Sequence, residues 1–267
     1  MNTLPGVRPF QLAGQWYSAN PHHLAEEVDR YISEAEIGLM DGEAIAIMAP
    51  HAGYMYSGSV AGYAFAAIKD RTPDLVVVLS PMHQPYFAPV MTTAHAAYAT
   101  PLGEIPVNRD VVNCLSSILE NETGVKLIEV AHDLEHSLEI ELPFLQRAIK
   151  GAFQLLPIML RDQSVVMARN LARALTQTFS QVGLTRSGKT LIIASTDLSH
   201  YYSQSRARLL DAELLRQVEA FDPEGVIRVE EQGKGYACGR GALSTVMWVA
   251  KALGATKAKI LKYATSG

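Results

Sequence analysis

Residues 75–83 have the sequence LVVVLSPMH, an apolar run that ends in a short polar loop. Because the run is unbroken and rich in Val, it predicts a strand buried on both faces, as at the centre of a parallel sheet. The other predicted strands are Ala44–Ala49, Val125–Val130, Phe153–Met159, Thr190–Ser195 and Lys259–Tyr263. Several of them are similarly continuous apolar runs, which indicates a sheet covered on both sides.

Longer segments with helical periodicity alternate with these strands. They are Leu24–Ile37, Ser59–Lys69, Arg109–Glu120, Ser137–Ile149, Ser164–Gln181, Ser203–Glu219 and Gly241–Leu253. Pro143 lies inside one of them and predicts a kink or a late start, because proline lacks an amide donor. The alternation predicts an α/β fold, a three-layer α/β/α sandwich with a mixed, largely parallel central sheet. No linker-like stretch divides the chain, so residues 1–267 are interpreted as a single domain.

The composition excludes several classes of protein. With 48% hydrophobic and 19% charged residues, the chain can bury a core and is not intrinsically disordered. A net charge of −4 argues against nucleic-acid binding through a basic face. No apolar stretch approaches the roughly 18 residues of a membrane span. Two cysteines and the lack of a signal peptide predict a cytoplasmic protein without a disulfide framework.

Three of the eight histidines come shortly after predicted strands. His51 follows AIAIMAP, His83 follows LVVVLSPM, and His200 follows LIIASTDLS. Because ligands bind outside the carboxyl ends of parallel strands, these side chains are expected to meet in one crevice. Each alone is also compatible with a solvated turn. Asp197 could orient the imidazole of His200 or cap a helix.

Further candidates lie near predicted helix starts. His136 and Glu139 are three residues apart, so they share a helix face and form either half of a metal-binding pair or a polar first turn. Cys238 precedes an apolar helix, where free backbone amides and Arg240 are expected to lower the pKa of its thiol. The alternative is a buried structural cysteine, which is the favoured interpretation of Cys114.

The sequence lacks the motifs of several enzyme classes. No P-loop, no G-x-G-x-x-G after a strand and no G-x-S-x-G is present, which argues against P-loop, dinucleotide-binding and α/β-hydrolase enzymes.

Imidazoles with one anionic ligand suit non-haem Fe(II), and a thiolate also favours Cu or Zn. His22, His23 and His95 have no supporting pattern and are expected at the surface.

Five motifs in this order carry a family resemblance. They are APHAGYMYSG (49–58), SPMHQP (80–85), EHSLEIELPFLQ (135–146), STDLSHYY (195–202) and CGRGAL (238–243). Together they resemble the Memo-like proteins, whose bacterial and archaeal members are called AmmeMemoRadiSam system protein B. That family is similar in structure to the LigB-type class III extradiol dioxygenases, which implies a LigB-like α/β/α fold. The resemblance spans roughly residues 5 to 265.

The resemblance implies roles for particular residues. His51 and His83 match two metal-binding histidines, and Cys238 takes the place of a glutamate that ligates the metal in the dioxygenases. His200 matches the acid/base histidine and Asp197 its neighbouring acid. Because a thiolate changes the charge and softness of the metal site, ordinary extradiol activity is not implied.

His136 and Glu139 match a family motif and are expected to line the cleft. Tyr54, in the loop of His51, and Arg240, beside Cys238, are further cleft candidates. Family members usually continue into one more strand than this sequence contains, so a shortened sheet edge is also expected.

Three functions follow as hypotheses. The leading one is a non-haem metal-binding protein, an iron-dependent oxygenase or redox enzyme that acts on a small bidentate substrate, with Fe(II) favoured over Cu or Zn. The second is a non-catalytic module that binds a peptide or protein in the same cleft, with radical-SAM and AMMECR-type proteins as the partners that the resemblance implies. The third is a zinc hydrolase that uses His51, His83 and a carboxylate.

Overall fold

The computed structural model of the protein describes residues 6–185 and 188–265. In chain order its strands are β1 (Val7–Arg8), β2 (Ala46–Ala49), β3 (Leu75–Pro81), β4 (Val90–Thr93), β5 (Ala97–Thr100), β6 (Gly103–Pro106), β7 (Ile128–Val130), β8 (Gln154–Leu160) and β9 (Thr190–Ser195). Its helices are α1 (Pro21–Ser33), α2 (Tyr54–Ala66), α3 (Arg109–Thr123), α4 (His136–Glu139), α5 (Leu142–Ala148), α6 (Val165–Gln181), α7 (Gln204–Glu219), α8 (Pro223–Glu231) and α9 (Arg240–Ala252).

A six-stranded sheet with the order β2-β9-β3-β8-β4-β7 forms the centre of the molecule. The first four strands in this order are parallel, β4 runs antiparallel to β8, and β7 runs parallel to β4. The side chains of Leu75–Leu79 in β3 are completely buried, as the unbroken apolar run predicted. β1, β5 and β6 form a small separate sheet.

Helices cover the central sheet. α1, α2 and α5 pack together, with α2 against β2 and α4 against β3. A second group consists of α3, α6, α7, α8 and α9, in which α9 contacts β2, β3, β8 and β9. The predicted three-layer α/β/α sandwich with a mixed central sheet is therefore confirmed. Within the described ranges, no helix is both long and apolar enough to cross a bilayer.

One predicted strand is wrong. Lys259–Tyr263 has the expected alternation, since Ala258 and Ile260 pack against the core and Lys259 is exposed. Residues 255–265 nevertheless contain neither helix nor strand, and this segment pairs with no strand of the described part of the chain. It is attached to the body of the protein through side chains, for example by a hydrogen bond from Lys259 Nζ to the carbonyl of Leu39 (3.2 Å).

Other elements differ from the prediction in detail. The helix predicted over Ser137–Ile149 is divided into α4 and α5, and Pro143 lies in the first turn of α5, where its missing donor has no cost. Sequence periodicity missed the four-residue strands β4, β5 and β6 and the helix α8, which Asp222 caps.

His95 was expected at the surface, but it is 7% exposed and contacts Thr93 Oγ1.

Candidate metal centre

The carboxyl ends of three neighbouring parallel strands meet at one edge of the sheet. β9 lies between β2 and β3, so the loops that follow these strands are adjacent. His51 comes two residues after β2, His83 two residues after β3, and Asp197 two residues after β9. The strand order therefore brings residues that are distant in sequence into one region.

Three imidazoles form a group, called the histidine cluster below: His51, His83 and His136. The ring centroid of His51 lies 5.4 Å from those of His83 and His136, and the last two are 4.7 Å apart. One ring nitrogen from each lies within 4.8 Å of the others, so the three can hold a single metal ion. His51 is 2% exposed, whereas His83 and His136 are partly open to the cavity.

Cys238 contacts one member of this cluster, His51, from the turn before α9. Its Sγ lies 3.1 Å from Nε2 of His51, and the backbone N–H of Asp197 donates to Sγ at 3.3 Å. The turn is tight because of Gly239, where an added Cβ would lie 2.6 Å from the carbonyl oxygen of Ser195. Cys238 is therefore adjacent to His51, whereas the ligand atoms that lie within 4.8 Å of one another are those of His51, His83 and His136.

The thiol of Cys238 does not have the low pKa that its position before a helix predicted. Burial raises the pKa of Cys238 to about 12, and the neighbouring Asp197 carboxylate contributes to this rise. Arg240 does not offset the effect, because its guanidinium forms an ion pair with Glu230 at 2.8 Å. Without a bound cation, Cys238 is therefore a neutral thiol, and a metal ion would supply the charge that stabilises the thiolate.

Groups behind the rings of His51 and His83 fix their orientation. Burial, with His136 and His83 close by, keeps the pKa of His51 well below its ordinary value. His51 Nδ1 contacts Ser195 Oγ at 2.9 Å, and His83 Nδ1 contacts Glu135 Oε1 at 2.8 Å. Burial alone would raise the pKa of Glu135, but hydrogen bonds from His83 and Ser137 lower it to about 2.

Asp197 and His200 lie at the same end of the sheet but do not form the expected pair. Asp197 Oδ1 accepts the backbone N–H of His51 at 2.7 Å, so its carboxylate fixes the loop of a cluster histidine. Nδ1 of His200 instead contacts the carbonyl of Leu198 at 2.7 Å, and its ring lies 5.3 Å from that of Tyr236. Both Asp197 and His200 line the cavity described below.

The four predicted cleft residues separate into two groups. His136 lines the cavity, and its ring lies 4.8 Å from the indole of Trp16. The other three do not line the cavity, and their polar ends contact other groups. The Tyr54 hydroxyl donates to the carbonyl of Ile140, Arg240 pairs with Glu230, and Glu139 pairs with Arg8.

A buried ionic network supports the cluster from the amino-terminal side. Arg8 is 2% exposed and forms ion pairs with Asp133 at 2.9 Å and Glu139 at 2.8 Å. Glu139 also accepts the hydroxyl hydrogen of Tyr17 and the backbone N–H of Leu12. The network fastens the segment that contains Trp16 to α4. Sequence patterns did not indicate a role for Arg8, because both of its acidic partners are more than a hundred positions away.

A cavity of about 1600 Å³ extends from the histidine cluster. It continues between the outer edge of β2 and residues 254–265. Exposed apolar side chains border it, among them Met55, Tyr56 and Tyr201. Tyr201 has a positive φ of 66°, a left-handed conformation that is uncommon for an aromatic residue, and its ring lies fully in solvent.

Comparisons with known proteins agree with the motifs. The family model described as "Memo-like protein" matches residues 8–267. A MEMO1 family protein of Nitrosopumilus maritimus is 35% identical over 266 residues, which cover 98% of this chain and 93% of the relative. MEMO1 family proteins of Methanosarcina mazei and Methanopyrus kandleri are 33% and 31% identical, over 98% and 96% of this chain and 92% and 91% of the relatives. The chain belongs to the Memo-like family.

Proposed function

We propose that this protein binds one first-row transition metal through His51, His83 and Cys238 and uses it for redox chemistry on a small bidentate substrate. The observation that carries the proposal is that His51 and His83 meet after adjacent parallel strands, with the thiol of Cys238 3.1 Å from Nε2 of His51. Fe(II) is the favoured ion, because two imidazoles with one anionic ligand leave positions open for substrate and dioxygen. Cu and Zn are the other candidates, since both accept thiolate ligands.

The donor set fits such an ion. The Nδ1 sides of His51 and His83 contact Ser195 and Glu135, which is the arrangement typical of metal-bound imidazoles. The burial of His51 keeps its ring neutral, as ligation requires. When bound, the metal would supply a Lewis acid and a redox centre.

The chain's own residues then have separate tasks. His200 lies on the cavity wall, where its imidazole can accept or donate a proton at the substrate. Asp197 holds the backbone of His51 and contributes negative charge near both rings. His136, stacked 4.7 Å from His83, serves as a cleft residue that contacts the substrate.

Anaerobic titration with Fe(II), Cu(I) and Zn²⁺, followed by elemental analysis, tests this proposal. The wild-type protein is expected to bind one ion, and His51→Ala, His83→Ala and Cys238→Ala are expected to lose it. Cys114→Ala is the matched control, since Cys114 lies in α3 and contacts Gln181. An oxygen electrode with catechol-type substrates then tests for oxygenase activity. A wild-type protein that takes up none of these ions would refute the proposal.

A peptide-binding module is the second candidate function, and two observations favour it. The cavity is larger than the roughly 300–1,000 Å³ typical of small-molecule sites. β2 also lies at the edge of the sheet, and its outer side faces this cavity, where an extended peptide could add a strand. If Cys238→Ala abolishes metal binding but leaves peptide binding intact, the two functions are separate.

Partners and location complete the proposal. Radical-SAM and AMMECR-type proteins are the partners that the family resemblance implies, and co-purification with them is the test. A cytoplasmic location is proposed because Cys238 is a free thiol that needs reducing surroundings.

A further inference from the structure

Glu135 is a buried carboxylate beside the histidine cluster, and its side chain is 0% exposed. Both of its oxygens contact the same distant residue. Oε2 accepts the backbone N–H of His83 at 2.6 Å, and Oε1 contacts Nδ1 of the His83 ring at 2.8 Å. A carboxylate that binds both the backbone and the ring of one histidine fixes the position and the rotation of that ring.

These contacts also determine which nitrogen of His83 carries the hydrogen. Oε1 of Glu135 accepts the backbone N–H groups of His136 and Ser137, and Oε2 accepts that of His83. Both oxygens are therefore acceptors, so the Nδ1 atom that contacts Oε1 must be a donor. In the neutral ring, Nε2 then keeps its lone pair and is the nitrogen left for the cluster.

Ser195 acts on His51 in the same way. The hydroxyl of Ser195 donates to the carbonyl of Ser137 at 2.6 Å, so its oxygen accepts from Nδ1 of His51 at 2.9 Å. Nε2 of His51 is consequently unprotonated and faces Cys238 Sγ. Ser137 connects the contacts of His51 with those of His83. Its carbonyl accepts from Ser195, and its hydroxyl lies 2.8 Å from Glu135 Oε1.

We propose that Glu135 is a positioning residue that holds His83 as the Nδ1–H tautomer and presents its Nε2 lone pair to the metal. The proposal rests on the metal site of the proposed function. Glu135 also caps α4 by accepting backbone N–H groups of that helix. The cap does not require its contact with the ring of His83, which lies 52 positions away in the sequence. Removing a partner of this kind weakens metal binding by about 10–100-fold.

Two-bond ¹H–¹⁵N NMR correlations of the metal-free protein test the proposal, since they report which ring nitrogen carries the hydrogen. The wild-type protein is expected to show His83 as the Nδ1–H tautomer. In Glu135→Gln, one amide cannot accept at both former oxygen positions, so this preference should be lost. Zn²⁺ affinity, measured by competition with a chromophoric chelator, should fall by about 10–100-fold.

Asp222→Asn is the matched control. It alters a carboxylate that also caps a helix, since Asp222 accepts the backbone N–H of Gly225 at the start of α8 at 3.0 Å, but that contacts no histidine ring. Both the His83 tautomer and the Zn²⁺ affinity are expected to stay at their wild-type values in this variant.

Three outcomes separate the possibilities. An Nε2–H tautomer of His83 in the wild-type protein would overturn the proposal, and this measurement needs no variant to fold. Equal weakening of Zn²⁺ binding in Asp222→Asn and Glu135→Gln would also overturn it, since the effect would then not depend on the contact with the His83 ring. If the tautomers behave as expected but the wild-type protein binds no metal, the ring-orienting role of Glu135 is supported and the proposed metal site fails.

Discussion

Sγ of Cys238 lies 3.1 Å from Nε2 of His51, although 187 positions separate the two residues. Burial raises the pKa of the thiol to about 12 and holds that of the imidazole low, so both groups are neutral at pH 7. The sulfur of Cys238 and Nε2 of His51 therefore face each other across a thiol hydrogen. That hydrogen must leave when a metal ion enters.

Metal binding should consequently release one proton from Cys238. Calorimetric titration with Zn²⁺ in buffers of different ionisation enthalpy counts this proton, and affinity should rise about tenfold per pH unit near neutrality. Cys238→Ala should release none, and Cys114→Ala should behave like the wild-type protein. Equal proton counts in wild type and Cys238→Ala would contradict the expectation.

Loss of Arg8 should strongly destabilise the fold. Arg8→Met leaves the buried carboxylates of Asp133 and Glu139 without their cation, which costs about 3–5 kcal/mol. The exposed pair of Arg147 with Asp29 is the matched control, and Arg147→Met should cost less than about 1 kcal/mol. Urea unfolding measures both values, and similar losses in the two variants would argue against a special role of the buried network.

Gly239 should be intolerant of a side chain. The Cβ of Gly239→Ala would lie 2.6 Å from the backbone oxygen of Ser195, so the turn that holds Cys238 must move. Metal affinity and thermal stability should both decrease. Gly53→Ala is the control, because its Cβ would meet the backbone of Trp16 at an ordinary 3.5 Å. Unchanged metal affinity in Gly239→Ala would show that the turn has room to adjust.

Stability should fall in mild acid partly because of His95. Burial lowers the pKa of His95 in the folded protein, so the unfolded chain binds a proton near pH 6.5 that the folded state excludes. The unfolded state then holds more protons, and the free energy of unfolding decreases as the pH drops below about 6.5. Unfolding curves of His95→Asn should show a weaker dependence, with His23→Asn on the exposed face of α1 as control. An identical pH dependence in His95→Asn and wild type would refute the assignment.

The centre of the fold could be predicted from sequence because its strands are buried on both faces. The run Leu75–Leu79 has no polar interruption, and this pattern is typical of a strand buried on both faces. Lys259–Tyr263 shows the limit of such reasoning. Its alternation of apolar and polar residues correctly indicates an extended segment with one buried face. Whether a partner strand lies beside that segment depends on tertiary structure.

The candidate site was predictable in position rather than in detail. His51 and His83 follow parallel strands, so the sheet itself determines that they meet. The pKa of Cys238 was not predictable. The position before a helix and the neighbouring Arg240 argue for a low pKa, whereas burial in the folded protein raises it. Glu135 gave no separate signal either, since its partner His83 is distant in sequence.

The indole of Trp16 lies 4.8 Å from His136. The sequence has one other tryptophan, Trp248, whose ring faces the Arg169 side chain instead. A Trp248→Phe variant would therefore contain a single tryptophan, at the margin of the histidine cluster. Because transition-metal ions quench nearby indole emission, fluorescence of that variant would follow the arrival of an ion in real time, without any attached dye.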